Sequence, residues 1–214
     1  AKEHPLYAMK KKLLFLFNPQ AGKGAIRDHL LDIITTFSDA GYELTVQTTN
    51  RSGQLPDLIA EQAANYDLLV TSGGDGTLNE VINGVMTNKE KVPIAYIPAG
   101  TTNDFAKTHK IPLSLTSAAK AITGATKEHK IDVGNFNNER YFSYIASFGI
   151  FTSASYKTNQ NAKNTLGHMA YVLEAMKSLV NIKSYQMKVS SDEIEFEGDF
   201  LFGMVTNSTS VAGF

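Results

Sequence analysis

Apolar residues along the first half of this chain switch repeatedly between an unbroken run and a spacing of three and four, and each switch marks an element. Leu13 to Phe17 is a continuous apolar run, the pattern of a central parallel strand buried on both faces. Asn18-Pro19-Gln20-Ala21-Gly22-Lys23-Gly24 breaks it. Ile26, Leu30, Ile33, Ile34 and Phe37 then share one helical face, and Gly41 follows as a C-terminal cap signal. Glu43 to Thr48 predicts a second strand, with Thr49 and Asn50 at its carboxyl end. Pro56, Leu58, Ile59 and Ala63 predict a second helix. The run Asp67 to Val70 predicts a third strand, stopped at Ser72-Gly73-Gly74-Asp75-Gly76, after which Leu78, Val81, Ile82 and Val85 begin a third helix. Val92 to Ile97 predicts a fourth strand with Pro98-Ala99-Gly100-Thr101-Thr102 as its exit turn, and Thr116 to Ile122 a further helix ended by Gly124. Strands alternating with helices predict a doubly wound parallel sheet. Every special loop follows a strand, so all of them should lie on one sheet edge, where open α/β sheets bind their ligands.

The pattern changes near Lys130. Ile131 to Phe136 and Tyr141 to Ser147 predict a β-hairpin, with Asn137-Asn138 tolerating positive φ in the turn. Leu166, Met169, Leu173, Met176 and Val180 predict a helix over 166–180, the two methionines reading as core fillers. Tyr185 to Ser190 and Ile194 to Thr206 predict strands around Ser191-Asp192. The division expected is an α/β domain over 9–131 and a second, β-rich domain over 132–214.

Composition narrows the classes. The chain has 214 residues, 43% hydrophobic and 19% charged, with a formal net charge of -1; that is an ordinary globular balance with no basic field for nucleic acid. It has no cysteine, so disulfides and thiolate metal sites are excluded. No apolar run approaches the roughly 20 residues of a membrane span. Ala1 to Ala8 is polar and short, and reads as a cloning remnant or an upstream extension ahead of a natural start at Met9-Lys10-Lys11-Lys12. The five histidines show no ligand spacing, and no Gly-x-Ser-x-Gly elbow is present.

The chemistry concentrates in the loops. Gly73, Gly74 and Gly76 put three glycines in four residues. They are expected to bend the backbone through positive φ and to let a ligand approach without Cβ clashes. The free N–H groups of the following helix and its dipole favour an anion at the same place. Asn18 to Gly24 is neither a Walker A loop nor a dinucleotide fingerprint; it supplies a βα turn with exposed amides and Lys23, which could equally be a solvated surface lysine. A carboxylate beside phosphates is unfavourable unless it meets Mg²⁺ or a proton. Asp75 therefore reads as orienting a hydrated Mg²⁺ or as general base to an acceptor hydroxyl, with a brace for its own loop as the bland alternative. Glu80 and Asp104 read equally as carboxylates complementing a helix start.

Gly73-Gly74-Asp75-Gly76-Thr77-Leu78-Asn79-Glu80 resembles the nucleotide loop of the diacylglycerol kinase catalytic domain. Asn18-Pro19-Gln20-Ala21-Gly22-Lys23 resembles the first loop of that family, and Pro98-Ala99-Gly100-Thr101-Thr102-Asn103-Asp104-Phe105-Ala106 its third. The superfamily includes sphingosine kinases, bacterial lipid kinases and, more distantly, NAD kinases and phosphofructokinases. The resemblance runs from about Lys12 to Phe214 and is strongest to soluble bacterial diacylglycerol kinases. It implies an NAD kinase/phosphofructokinase-like first domain and a sandwich-like second domain that looks truncated. The family's Asp-Asp-Gly magnesium motif and catalytic Glu are expected beyond Phe214.

The function implied is an ATP-dependent lipid kinase acting on diacylglycerol or a similar lipid, with ATP and Mg²⁺ as cofactors. The alternatives are an NAD kinase-like enzyme or a nucleotide-binding regulatory protein without turnover; the Asn-Pro-x-x-Gly-Lys and Gly-Thr-x-Asn-Asp-Phe-Ala motifs favour the lipid branch. Asp75 is the catalytic candidate. The ATP-binding candidates are Asn18, Pro19, Gln20, Ala21, Gly22, Thr49, Gly73, Gly74, Asp75, Gly76, Thr77, Leu78, Asn79, Gly100, Thr101 and Thr102. The partners expected are a lipid at the membrane surface and a second copy of the chain as a homodimer, with no nucleic acid. The location expected is the cytoplasm, transiently at the inner face of the membrane; the 166–180 helix with Lys163, Lys177 and Lys183 around it is one candidate contact, and a core helix with solvated lysines is the reading favoured for the same residues.

Overall fold

The computed structural model describes residues 10–49, 53–89, 91–149 and 183–209. It divides into two compact units, Ala1–Tyr144 with Ser208–Phe214, and Ile145–Asn207. The expected helix over 166–180 and the segment Ala1 to Ala8 lie outside the described residues.

The first unit is built on four parallel strands: β1 (Lys12–Phe17), β2 (Glu43–Thr48), β3 (Leu68–Gly73) and β4 (Ile94–Pro98), in the order β2-β1-β3-β4. β1 is central, and Leu13 to Leu16 are fully buried, as a run apolar on both sides requires. Its odd and even positions face different helices. Leu13, Phe15 and Phe17 pack with Ile26, Ile33 and Phe37 of α1 (Ile26–Asp39) and with Leu115, Ala118 and Ala119 of α5 (Leu115–Thr123). Leu14 and Leu16 pack with Leu55 and Ile59 of α2 (Leu55–Gln62) and with Val81 and Val85 of α3 (Asp75–Thr87). Helices on both faces of a parallel sheet make the expected doubly wound arrangement.

Several boundaries differ from the sequence reading. β3 runs on from Val70 through Thr71 and Ser72 to Gly73, because pairing with β1 and β4 continues to the register Phe17↔Ser72 and Gly73↔Pro98. Backbone pairing, not side-chain polarity, decides where a strand ends. α3 likewise begins at Asp75, well before its first apolar residue. A short helix, α4 (Asp104–Thr108), follows the third loop where no helix was expected.

The strands β5 (Gly134–Phe136) and β6 (Arg140–Phe142) form the expected antiparallel hairpin, and Asn137 and Asn138 at φ 54° and 58° make its turn. Its second strand is shorter than expected. Ile145 starts a separate strand, β7 (Ile145–Gly149), in the second unit. There β8 (Tyr185–Ser190) pairs antiparallel with β9 (Glu195–Phe200), and β7 with β10 (Phe202–Thr206). The long strand expected over Ile194 to Thr206 is thus two strands broken at Leu201. This unit is β-rich among its described residues, as expected.

Candidate nucleotide site

Parallel strands bring the three loops to one sheet edge. β1 hands over to the first loop with the Asn18 N–H donating to the Ser72 carbonyl at 3.0 Å. The Asn18 side chain folds back, its Oδ1 accepting the Gln20 N–H at 2.9 Å, and the Ala21 N–H reaches the Asn18 carbonyl at 3.2 Å. A 3₁₀ turn over Ala21–Gly24 follows, with Pro19 and Gln20 leading into it. Gly22 is required here twice over. Its φ is +55°, and a Cβ on it would collide with the Ala99 carbonyl. The first loop is therefore pressed directly on the third. Thr49, at the end of β2, is buried and gives both its N–H (2.9 Å) and its hydroxyl (3.4 Å) to the Phe17 carbonyl.

The glycines after β3 do not serve the purpose first expected. Gly73, Gly74 and Gly76 all lie outside the positive-φ region. Close packing requires Gly73 instead, and at the neighbouring contact it requires Gly100 rather than Gly74, where a Cβ would stand 3.4 Å from the Gly100 Cα. A Cβ on Gly73 would fall on the Thr77 side chain, and Gly74 meets Gly100 so closely that a Cβ on Gly100 would lie 2.5 Å from the Gly74 Cα. Gly76 differs: a Cβ there meets nothing within 4 Å. It stands in the first turn of α3 and is exposed. Gly74 is the N-cap and makes no side-chain cap bond; the first bond of the helix runs from the Leu78 N–H to the Gly74 carbonyl at 3.1 Å. The N–H groups of Asp75, Gly76 and Thr77 are left without a partner among the described residues, as uncapped helix starts leave them. Ser72 Oγ and Thr71 Oγ1, on the strand that leads to this turn, are buried and have no partner among the described residues.

Asp75 points its carboxylate across to the third loop. Oδ1 accepts the Phe105 N–H at 3.0 Å; Oδ2 accepts the Asp104 N–H at 3.1 Å and the Thr102 hydroxyl at 3.4 Å. Asp75 thus supplies the cap that α4 would otherwise lack. The third loop closes on itself through Asn103, which holds φ 52°. Its Oδ1 accepts the Gly100 N–H at 2.8 Å and its Nδ2 donates to the Gly100 carbonyl at 3.0 Å. Thr101 is exposed. Asp104 is buried, and its carboxylate accepts the Tyr144 hydroxyl at 3.0 Å.

Two candidate residues face away from an anion at this turn. Leu78 is buried with Ile82, Tyr96, Phe105 and Ala106, and supports the loop from beneath. Asn79 Oδ1 accepts the Ser143 N–H at 3.3 Å. One turn on, the Asn83 side chain both donates to the Tyr141 carbonyl (2.8 Å) and accepts the Tyr141 N–H (2.9 Å). Glu80 accepts the Gly53 N–H at 3.1 Å. Sequence reasoning gave no role to Asn83, Asn103 or Tyr96. The available signals were an asparagine one helical turn from Asn79, an asparagine in a turn where αL is tolerated, and a lone hydroxyl in an otherwise apolar strand.

Comparison with known proteins places this loop set. The profile of the diacylglycerol kinase catalytic domain matches residues 12–136, which contain every loop just described. The chain belongs to the diacylglycerol kinase catalytic domain family. A diacylglycerol kinase of Staphylococcus aureus (strain JH9) is 35% identical over 208 residues, 96% of this chain and 65% of that protein. The chain therefore spans about two thirds of the length of the curated relatives it matches. A crystal structure from Bacillus anthracis str. Sterne superposes with a TM-score of 0.78 at 28% identity, over 100% of this chain and 70% of that one. A second, of a diacylglycerol kinase from the same organism, gives 0.75 at 27% identity over 97% and 68%.

Proposed function

We propose that this chain carries the nucleotide-binding part of an ATP-dependent lipid kinase whose acceptor is the hydroxyl of diacylglycerol or a similar lipid. The observation that carries the reading is the uncapped start of α3, where three N–H groups stand open beside a glycine whose Cβ position is empty. That cradle suits an anion without a side-chain counter-charge, and membership of a family named for a kinase makes nucleotide phosphate the anion of choice.

In this reading the amides of Asp75, Gly76 and Thr77 and the backbone of Gly73 and Gly74 take the phosphates. Gly100, Thr101 and Thr102 close over them from the next strand end, and Asn18 to Gly22 with Thr49 border the same crevice. Leu78 and Asn79 hold the turn in place from behind. ATP supplies the transferable phosphoryl group, and the Mg²⁺ that travels with it offsets phosphate charge. Asp75 is the carboxylate nearest the open amides. Its two oxygens each accept backbone N–H groups yet keep lone-pair capacity, so it can orient a hydrated cation or receive an acceptor proton while still capping α4. Among the described residues no three His, Cys, Asp or Glu side chains cluster as a metal site, so other ligands must join Asp75.

The division of labour proposed is nucleotide binding by 9–131 and lipid binding by 132–214. The protein works in the cytoplasm and visits the inner membrane face, as a homodimer in solution. No described helix is long and apolar enough to cross a membrane. The test is transfer of label from γ-labelled ATP by the full-length protein to a panel of lipids and to NAD. Label in diacylglycerol is expected. Label in NAD alone would replace the lipid reading, and ATP binding without transfer would leave a nucleotide-binding regulatory protein.

A further inference from the structure

Tyr96 sits in β4 as the one hydroxyl in a strand of apolar residues, 4% exposed. Burying a phenol is unfavourable unless its O–H finds an acceptor. Here the proton is shared between the Gly73 carbonyl at 2.9 Å and Asn103 Oδ1 at 3.4 Å. Those two acceptors belong to different loops. Gly73 ends β3, one residue ahead of the Gly74 N-cap and the open amides of α3; Asn103 is the residue that closes the third loop on Gly100. The ring itself packs edge-on to Phe105 of α4 at 6.0 Å and against Leu78 of α3.

We propose that Tyr96 is a positioning residue for the nucleotide phosphates, its hydroxyl setting the spacing between the Gly73–Thr77 turn and the Gly100–Asn103 turn. The inference rests on the nucleotide reading given above. The first turn presents backbone donors, which cannot be re-aimed one at a time as side chains can, so its distance from the Gly100–Asn103 turn must be fixed by what lies beneath. The Gly74–Gly100 contact keeps the turns from closing further; the Tyr96 hydroxyl keeps them from opening. Burial, with the Asp75 charge adding to it, pushes the ionisation of this phenol far above its ordinary range, so the donor proton is present at any working pH.

Tyr96→Phe removes the bridge and little else. The Gly73 carbonyl still accepts the Ala99 N–H at 2.8 Å, and Asn103 Oδ1 still accepts the Gly100 N–H. The full-length protein would be assayed with ATP, Mg²⁺ and diacylglycerol in mixed micelles. Tyr96→Phe is expected to weaken ATP binding and raise the ATP KM about tenfold, with the lipid KM and kcat within about threefold, the pattern of lost uniform binding to one substrate. Ile33→Val, on the buried face of α1, serves as a control that lowers stability without touching the loops; it should leave the ATP KM unchanged. If Tyr96→Phe does not fold, Tyr96→Met carries the same test, since a flexible thioether fills the ring's place without a hydroxyl and leaves Asn103 and its bonds to Gly100 untouched. Tyr96→Phe binding ATP within twofold of wild type would overturn the proposal, as would an equal loss in Ile33→Val. A wild-type protein that binds no ATP at all would remove the nucleotide reading as well, and calorimetry on the wild type separates the two failures.

Discussion

Gly76→Ala makes two predictions of opposite sign. Gly76 lies in the first turn of α3 at ordinary helical φ, and its Cβ would meet nothing within 4 Å. Glycine costs a helix roughly 0.5–1 kcal/mol relative to alanine. With no strain and no clash the substitution should therefore stabilise the fold, by about 0.5 kcal/mol for a first-turn position. At roughly 2–4 °C per kcal/mol for a domain of this size, Tm should rise by about 1–2 °C. The methyl group would stand over the open amides. Displacing a phosphate oxygen from one charge-assisted bond is worth roughly 1.5–3 kcal/mol, so ATP should bind about 10- to 100-fold more weakly. Gly76→Val should weaken it further. Thermal melts and calorimetric titration with Mg-ATP on one preparation read both effects. Loss of several degrees would refute the open space at Gly76; unchanged ATP affinity would refute the amide cradle as the phosphate site.

Gly100→Ala, by contrast, drives a Cβ against the Gly74 backbone, and should lower Tm and ATP affinity together. Asp75→Asn presents an N–H₂ to one of the two amides that the carboxylate now receives, so stability should fall by about 1–2 kcal/mol, as for a lost helix cap. If Asp75 also serves the reaction, turnover by the folded variant should drop roughly 10²- to 10⁴-fold; turnover within a few fold would leave it a brace alone. Lys91 Nζ donates to the carbonyls of Val85, Met86 and Asn88 at 3.2, 2.6 and 2.5 Å, closing the end of α3; Lys91→Met should lower stability by about 1 kcal/mol in urea titrations. His109 lies against the Phe105 ring at 4.3 Å, and burial lowers its pKa from 6.5. The unfolded chain then binds more protons than the folded one, so stability should fall as pH drops below about 6.5, and His109→Gln should flatten that slope.

The sheet was legible because its strands are buried on both sides. A run such as Leu13 to Phe17 has no other soluble home, and the helices beside it show their inner faces as Ile26, Ile33 and Phe37. The strand and helix limits around Gly73 were harder to read, because side-chain polarity and backbone pairing part company there. Thr71, Ser72 and Gly73 are polar or small, yet their backbones continue the ladder. The glycines were wrongly read as supplying positive φ; what the sequence hid was the contact of Gly74 with Gly100, which is far away along the chain. The same distance hid the target of Asp75. Nothing in the order of residues says that its carboxylate caps a five-residue helix beginning at Asp104.

The asparagine pair on α3 has a consequence for how this protein comes apart. Asn83 holds Tyr141 by both backbone groups, Asn79 holds Ser143, and Tyr144 reaches Asp104. Val133 and Tyr141 pack against the cluster of Leu78, Ile82 and Phe105. The hairpin and α3 should thus open as one cooperative unit, with Tyr141 and Ser143 amides exchanging with solvent no faster than those in the middle of the helix. A fragment cut at Ile131 would lose the strand that shields the back of the Gly73–Thr77 turn, whereas one cut after Tyr144 would keep it.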